Sequence, residues 1–145
     1  MNKLAMALLI ACLLSACGGA KSENEGVQDR LNTKELKYFT NGKRLYTQYC
    51  NNCHMDNGEG LGRLIPPLAE SDYLMEDLGR AAKIMKYGQK GPIAVNGTEY
   101  NQPMPANPQL TPLEILQILA YVSNTWGNEA DIMTLPEVQE ALKEQ

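Results

Sequence analysis

The sequence predicts a helical chain, and three observations carry that reading. Leu74, Leu78, Ala81, Ala82 and Met85 fall at helical spacing and mark one buried stripe. Thr111, Pro112 and Glu114 form a helix start, with threonine as cap, proline at the first position and glutamate closing a capping box. Thr134 and Glu137 repeat that box near the end of the chain. At 145 residues there is length for one domain plus appendages.

The chain opens on a leader, residues 1–16. Lys3 supplies a positive start, and Leu4 to Leu14 is an apolar run too short to span a bilayer comfortably. It runs into Leu14-Ser15-Ala16-Cys17, which resembles a bacterial lipoprotein signal, with Cys17 lipidated as the first mature residue. Two or more acyl chains give stable attachment, so the expectation is an exported protein anchored to the bacterial membrane, facing the periplasm or cell exterior. Cys12 lies within the leader and is lost with it. Residues 17–37 read as a flexible tether, because Gly18 to Asn32 is nearly free of apolar side chains. About 20 such residues span roughly 25 Å root-mean-square.

A first helix is expected from about Thr33 or Asn41 to Cys53, with Leu45, Tyr46 and Tyr49 on its apolar face. Gly42 lies one turn before Tyr46. Gly58, Gly60 and Gly62 then mark a loop; no strand precedes them and no Gly-Lys-Ser/Thr follows, so a phosphate-binding loop is excluded. Ser71 to Gly88 is helical with a break near Asp77, and Gly88 is a natural stop. Asn96-Gly97 signals a tight turn or short hairpin. Pro103, Pro105 and Pro108 stiffen the loop that carries Met104. The helix capped by Thr111 is expected to present Ile115, Leu119, Val122 and Trp126 and to end at Gly127. Residues 129–145 form a C-terminal extension with a short helix.

The chemistry sits in Cys50-Asn51-Asn52-Cys53-His54. Two cysteines three apart, followed at once by histidine, read as a c-type haem attachment site. On a helix the thiols and the imidazole share one face. Both thiols can then add to the vinyl groups of one porphyrin while the imidazole reaches its iron. A thioredoxin-like site would need a βαβ context, and no run of β-branched residues precedes Cys50. A structural zinc site would need about four ligands, more than Cys50, Cys53 and His54 supply once Cys17 is blocked. A structural disulfide is the remaining alternative.

From about Asn41 to Asn128 the chain resembles the bacterial class I c-type cytochromes, in particular the domains of alcohol dehydrogenases, copper nitrite reductases and haem–copper oxidases. The resemblance rests on Gly42 with Tyr46 ahead of the Cys-x-x-Cys-His; on Pro66-Pro67-Leu68; on Met104-Pro105; and on Tyr121 to Asn128 closing the last main helix. It implies an all-α cytochrome c fold over residues 38–128, three to five helices around one covalently bound haem c, with the first and last helices crossing at the glycine. It further implies Cys50 and Cys53 as the covalent links, His54 as one axial ligand, and the Pro66 carbonyl accepting a hydrogen bond from His54 Nδ1–H, which fixes the ring.

His54 is the only histidine, so this chain alone cannot supply bis-histidine ligation. After the leader the methionines are Met55, Met75, Met85, Met104 and Met133. Met55 adjoins the histidine and cannot reach the opposite face, Met75 and Met85 read as core, and Met133 lies in the tail. Met104 lies fifty residues past His54 between two prolines, at the family's ligand position. His/Met ligation raises the reduction potential.

The function expected is electron transfer by a membrane-anchored carrier, not catalysis. The alternatives are an electron-transfer subunit of a larger oxidoreductase and a gas-binding or enzymatic haem protein; no second histidine serves the last. Loss of Lys3 with the leader takes the formal charge from −4 to −5. An acidic carrier fits redox partners with basic docking patches and excludes a nucleic-acid partner.

Overall fold

The computed structural model describes residues 25–143. The leader and Cys17 lie outside the described residues. Helix α1, Glu25–Arg30, occupies part of the stretch expected to be tether. Val27 is the reason: its side chain is buried in the main core, with Leu31 packed beside it. Arg30 ties the same segment down, donating to Asn124 Oδ1 at 3.2 Å and pairing with Glu129 at 3.4 Å. A single valine in a polar stretch carries no periodic signal, so the sequence does not reveal this docking.

Helix α2, Thr33–Tyr49, starts on Asn32, whose side chain accepts from Lys34 and Glu35 while Glu35 reaches back to close a capping box. It buries Phe39, Gly42, Leu45 and Tyr46. The expected continuous helix to Cys53 is broken at Cys50, which ends α2 and caps the single turn α3, Asn51–His54. Met55, at φ 63°, stops that turn.

Helices α4, Asp72–Glu76, and α5, Leu78–Tyr87, flank the expected break. Asp77 is extended there because it caps α5, accepting from Arg80 N at 2.8 Å. Strands β1, Ile93–Val95, and β2, Thr98–Tyr100, form an antiparallel hairpin with Val95 opposite Thr98. Asn96 and Gly97 both take positive φ, the requirement of a two-residue type I′ turn. Asp72 and Asn96 exchange backbone-to-side-chain hydrogen bonds that fix the hairpin to α4.

Helix α6, Pro112–Val122, has the expected Thr111–Glu114 capping box. It ends before the expected Gly127. Ser123 and Asn124 return hydrogen bonds to Leu119 and Ala120, and Asn128 takes the Val122 carbonyl. These buried side chains satisfy the final carbonyls and turn the chain. Helix α7, Leu135–Ala141, is capped by Thr134 with Glu137. It packs on α5 and α6 with Val138 buried, so the C-terminal extension completes the core.

The principal packing is α2 across α6. At their contact Phe39, Tyr46, Tyr121 and Trp126 stack edge to face or tilted, with centroids 5.0–5.4 Å apart. Seven helical segments occur among the described residues, more than the three to five expected, because α2/α3 and α4/α5 are interrupted and α1 adds to them.

Candidate haem site

A cavity of about 300 Å³ opens between α3, the 55–68 loop, α5 and the 101–107 loop. Cys50, Cys53, His54, Pro66 and Met104 all line it. The five residues singled out in the sequence for the cofactor therefore converge on one space with largely apolar walls.

Helix α3 is only one turn long, yet it is enough. Cys53 N and His54 N both donate to the Cys50 carbonyl, at 3.1 and 3.0 Å, so the three functional side chains are locked to one turn of backbone. Both cysteines are free thiols. Burial, reinforced by the neighbouring Cys53, pushes the Cys50 thiol up to about 12. Among the described residues no three of His, Cys, Asp and Glu gather as a metal-binding group.

His54 is buried at 8% exposure, and its Nδ1 lies 3.2 Å from the Pro66 carbonyl. A carbonyl only accepts, so Nδ1 carries the hydrogen and Nε2 keeps its lone pair. Burial lowers the imidazole pKa below its ordinary value, while the Pro66 bond pulls the other way. A neutral ring ready to coordinate is the result. Gly60 makes the approach of Pro66 possible: a Cβ there would stand 2.3 Å from the Ile65 carbonyl and 2.6 Å from that of Pro66. The Gly60 amide itself donates to the His54 carbonyl at 3.1 Å.

Met104 is held by a two-way backbone bridge with Gln89, at 2.9 and 3.0 Å. Of the other methionines, Met85 also lines the cavity, from α5, where it is buried as expected for core. Met55, Met75 and Met133 do not line it.

Arg80 escaped the sequence reading. It lines the cavity, stacks its guanidinium 3.7 Å from the Tyr73 ring centroid, and pairs with Glu76. Its Nε is buried and has no hydrogen-bond partner. A buried unmet donor on a cavity wall costs free energy unless something occupies the cavity. In the sequence it is one of three basic residues on a helix, with Lys83 and Lys86, and nothing local marks it out. Two thiols, a neutral imidazole, an apolar wall and an unmet cationic donor together fit a porphyrin, whose vinyls, iron, ring and carboxylates ask for those groups.

Comparison with known proteins agrees. The family model described as Cytochrome c matches residues 39–126. Cytochrome c-552 of Thermus thermophilus is 36% identical over 91 residues, covering 60% of this chain and 69% of that protein. A second cytochrome c-552, from a named strain of the same organism, is likewise 36% identical over 91 residues, covering 60% of this chain and 61% of its own length. The cytochrome c subunit of the quinone alcohol dehydrogenase of Gluconobacter oxydans is 29% identical over 91 residues, which cover 61% of this chain but 19% of that subunit. The chain belongs to the cytochrome c family, with haem c as its cofactor and electron transfer, not catalysis, as its activity.

Proposed function

We propose that this protein is a membrane-anchored, single-haem electron carrier with His/Met axial ligation. When bound, the haem supplies a one-electron iron couple. Cys50 and Cys53 would hold it by thioether bonds, and His54 Nε2 and Met104 sulfur would ligate its iron. Pro66 orients the imidazole through Nδ1. Arg80, on the cavity wall, would supply a cation for a haem carboxylate. The observation that carries the reading is the meeting of Cys50, Cys53, His54 and Met104 on one cavity wall system, with His54 already fixed by Pro66.

Cys17 carries the lipid and places the domain outside the cytoplasm, facing the periplasm or cell exterior; support is the Leu14-Ser15-Ala16-Cys17 pattern. Among the described residues no helix is long and apolar enough to cross a membrane. Redox proteins with basic docking patches are its partners, given the acidic chain. The similarity to a dehydrogenase cytochrome subunit supports a second reading, a subunit receiving electrons inside a larger oxidoreductase.

Haem staining of denaturing gels tests the centre of this proposal. Wild type keeps its haem, and Cys50→Ser with Cys53→Ser loses it; covalent haem in the double variant rejects the attachment. Mass spectrometry of the mature N-terminus should find acylated Cys17. Co-purification of a catalytic partner from detergent-solubilised membranes favours the subunit reading.

A further inference from the structure

The loop that carries Met104 is stitched to the C-terminal end of α5. Gln89 and Met104 exchange backbone hydrogen bonds, and Asn107 N donates to the Met85 carbonyl at 3.0 Å. Gly88 lets the strands of chain approach: at φ 83°, a Cβ there would lie 2.8 Å from the Met104 carbonyl and 3.0 Å from Ala106 N. These ties involve backbone atoms, which no side-chain change short of proline removes. One more tie is made by a side chain. Lys86 Nζ donates to the carbonyls of Pro108 at 2.6 Å and Leu110 at 2.7 Å.

A lysine in the last turn of a helix has an ordinary explanation, the favourable interaction of a cation with the helix C-terminus. Lys86 does something more specific. Its half-buried ammonium reaches across to another segment and gathers two of that segment's carbonyls. Leu110 is 1% exposed, a fixed point in the core. Pro108 lies between that point and Met104 in the chain. The ammonium thus closes the downstream end of a loop whose upstream end is closed by Gln89. Glu114, on the cap of α6, feels the same positive charge. Without the ammonium, residues 105–110 are held by the Asn107–Met85 bond, by the Leu110 N–Asn107 carbonyl bond at 3.1 Å and by the burial of Leu110.

We propose that Lys86 is a positioning residue for the sixth ligand: by clamping Pro108 and Leu110 it keeps the Met104 loop closed over the haem and so sets how often the thioether leaves the iron. The proposal rests on the reading of Met104 as that ligand. Opening of the loop exposes one coordination position to small anions. Closure also spares the site any change of ligands when its charge changes, which is what a carrier needs.

The test is cyanide binding to the purified ferric holoprotein, followed by the long-wavelength thioether–iron(III) band, with urea unfolding measured alongside. Lys86→Met keeps the stem and removes the donors. It should take up cyanide about tenfold faster than wild type, about 1.4 kcal/mol in the opening equilibrium, with the band present before cyanide is added. Lys86→Arg, which still donates to two carbonyls, should return close to the wild-type rate. Val27→Ala, in α1 and away from the loop, controls for general loss of stability and should leave the rate near wild type. Lys86→Leu, which also lacks donors, serves the same comparison if the methionine variant does not accumulate. A wild-type rate in Lys86→Met with the band intact overturns the clamp and leaves the ligand reading standing. So does an equal acceleration in Val27→Ala, which would make Lys86 merely structural. A wild-type protein without the band, binding cyanide at once, removes the Met104 reading and the clamp with it.

Discussion

Gly42 and Gln117 are in contact where no side chain fits: a Cβ on Gly42 would stand 1.8 Å from the Gln117 carbonyl oxygen. The same Cβ would lie 2.9 Å from Tyr121 Cβ. Helices α2 and α6 cross here, and the absence of a side chain sets their separation. Gly42→Ala should therefore destabilise, although alanine is the better helix former by about 1 kcal/mol. Overpacking of about 1–3 kcal/mol or more outweighs that gain. Urea unfolding of the holoprotein checks it; an unchanged or higher midpoint would show that the crossing relaxes at no cost.

Met104 and Met85 both border the cavity, and their substitutions should separate cleanly. Met104→Ala should give a high-spin ferric form, lose the thioether band, admit carbon monoxide to the ferrous form and lower the potential, because a ligand favouring Fe(II) is gone. Met85→Ala should leave the iron low-spin and cost roughly 2–5 kcal/mol, as for a buried methionine elsewhere. Visible spectra and urea titrations of both variants decide it, and exchanged behaviour would move the ligand to α5.

Arg80 presents an unmet donor to the cavity, and its charge should be felt at the iron. Replacing it by glutamine leaves a propionate without its cation, which favours the ferric state. The reduction potential of Arg80→Gln should fall by some tens of millivolts, about 59 mV being a tenfold change for one electron. Redox titration reads this directly. A potential equal to wild type would turn Arg80 into a surface residue that stacks on Tyr73 and nothing more.

Glu114 should make α6 acid-sensitive. Hydrogen bonds from the Thr111 amide and hydroxyl hold its carboxyl below the ordinary carboxylate range. Its folded-state pKa is depressed, so its contribution is present above the unfolded value of about 4.3 and is lost as pH falls through the folded one. Thr111→Ala should cost about 0.5–2 kcal/mol at neutral pH and reduce, without abolishing, the acid limb of stability below pH about 4.3, since the backbone amide still donates to Glu114. Urea midpoints across pH, with and without the substitution, measure both effects.

The parts of the fold legible beforehand were those written in local chemistry. Thr111-Pro112-x-Glu114, Thr134 with Glu137, Asp77 and Asn96-Gly97 each act within four residues, and each forms the expected cap, break or turn. The Cys50 to His54 cluster was legible for the same reason, its residues lying within one turn. What escaped were events settled at a distance. Val27 is an isolated apolar side chain whose partners lie in other helices, and Asn124 and Asn128 end α6 through buried bonds that look like ordinary polar positions in a sequence. Arg80 and Lys86 read as solvent charges on a helix, and only the fold turns one toward the cavity and the other toward the Met104 loop.

Trp126 closes the aromatic stack, and the loop leaving the haem-binding turn is fitted against it. Its indole lies where a Cβ on Gly58 would meet Trp126 Cε3 at 2.4 Å, and it touches Tyr46 and Tyr121 as well. It is also the only tryptophan in the chain. The protein therefore carries a built-in optical gauge. With a porphyrin held at Cys50 and Cys53, as proposed, indole emission would be drained by energy transfer while the loop stays seated. Emission should rise only when the loop lifts or the helices part, so one fluorophore follows release of the 55–68 loop while the visible band follows Met104, and the two signals tell on which side of the haem the domain gives way first.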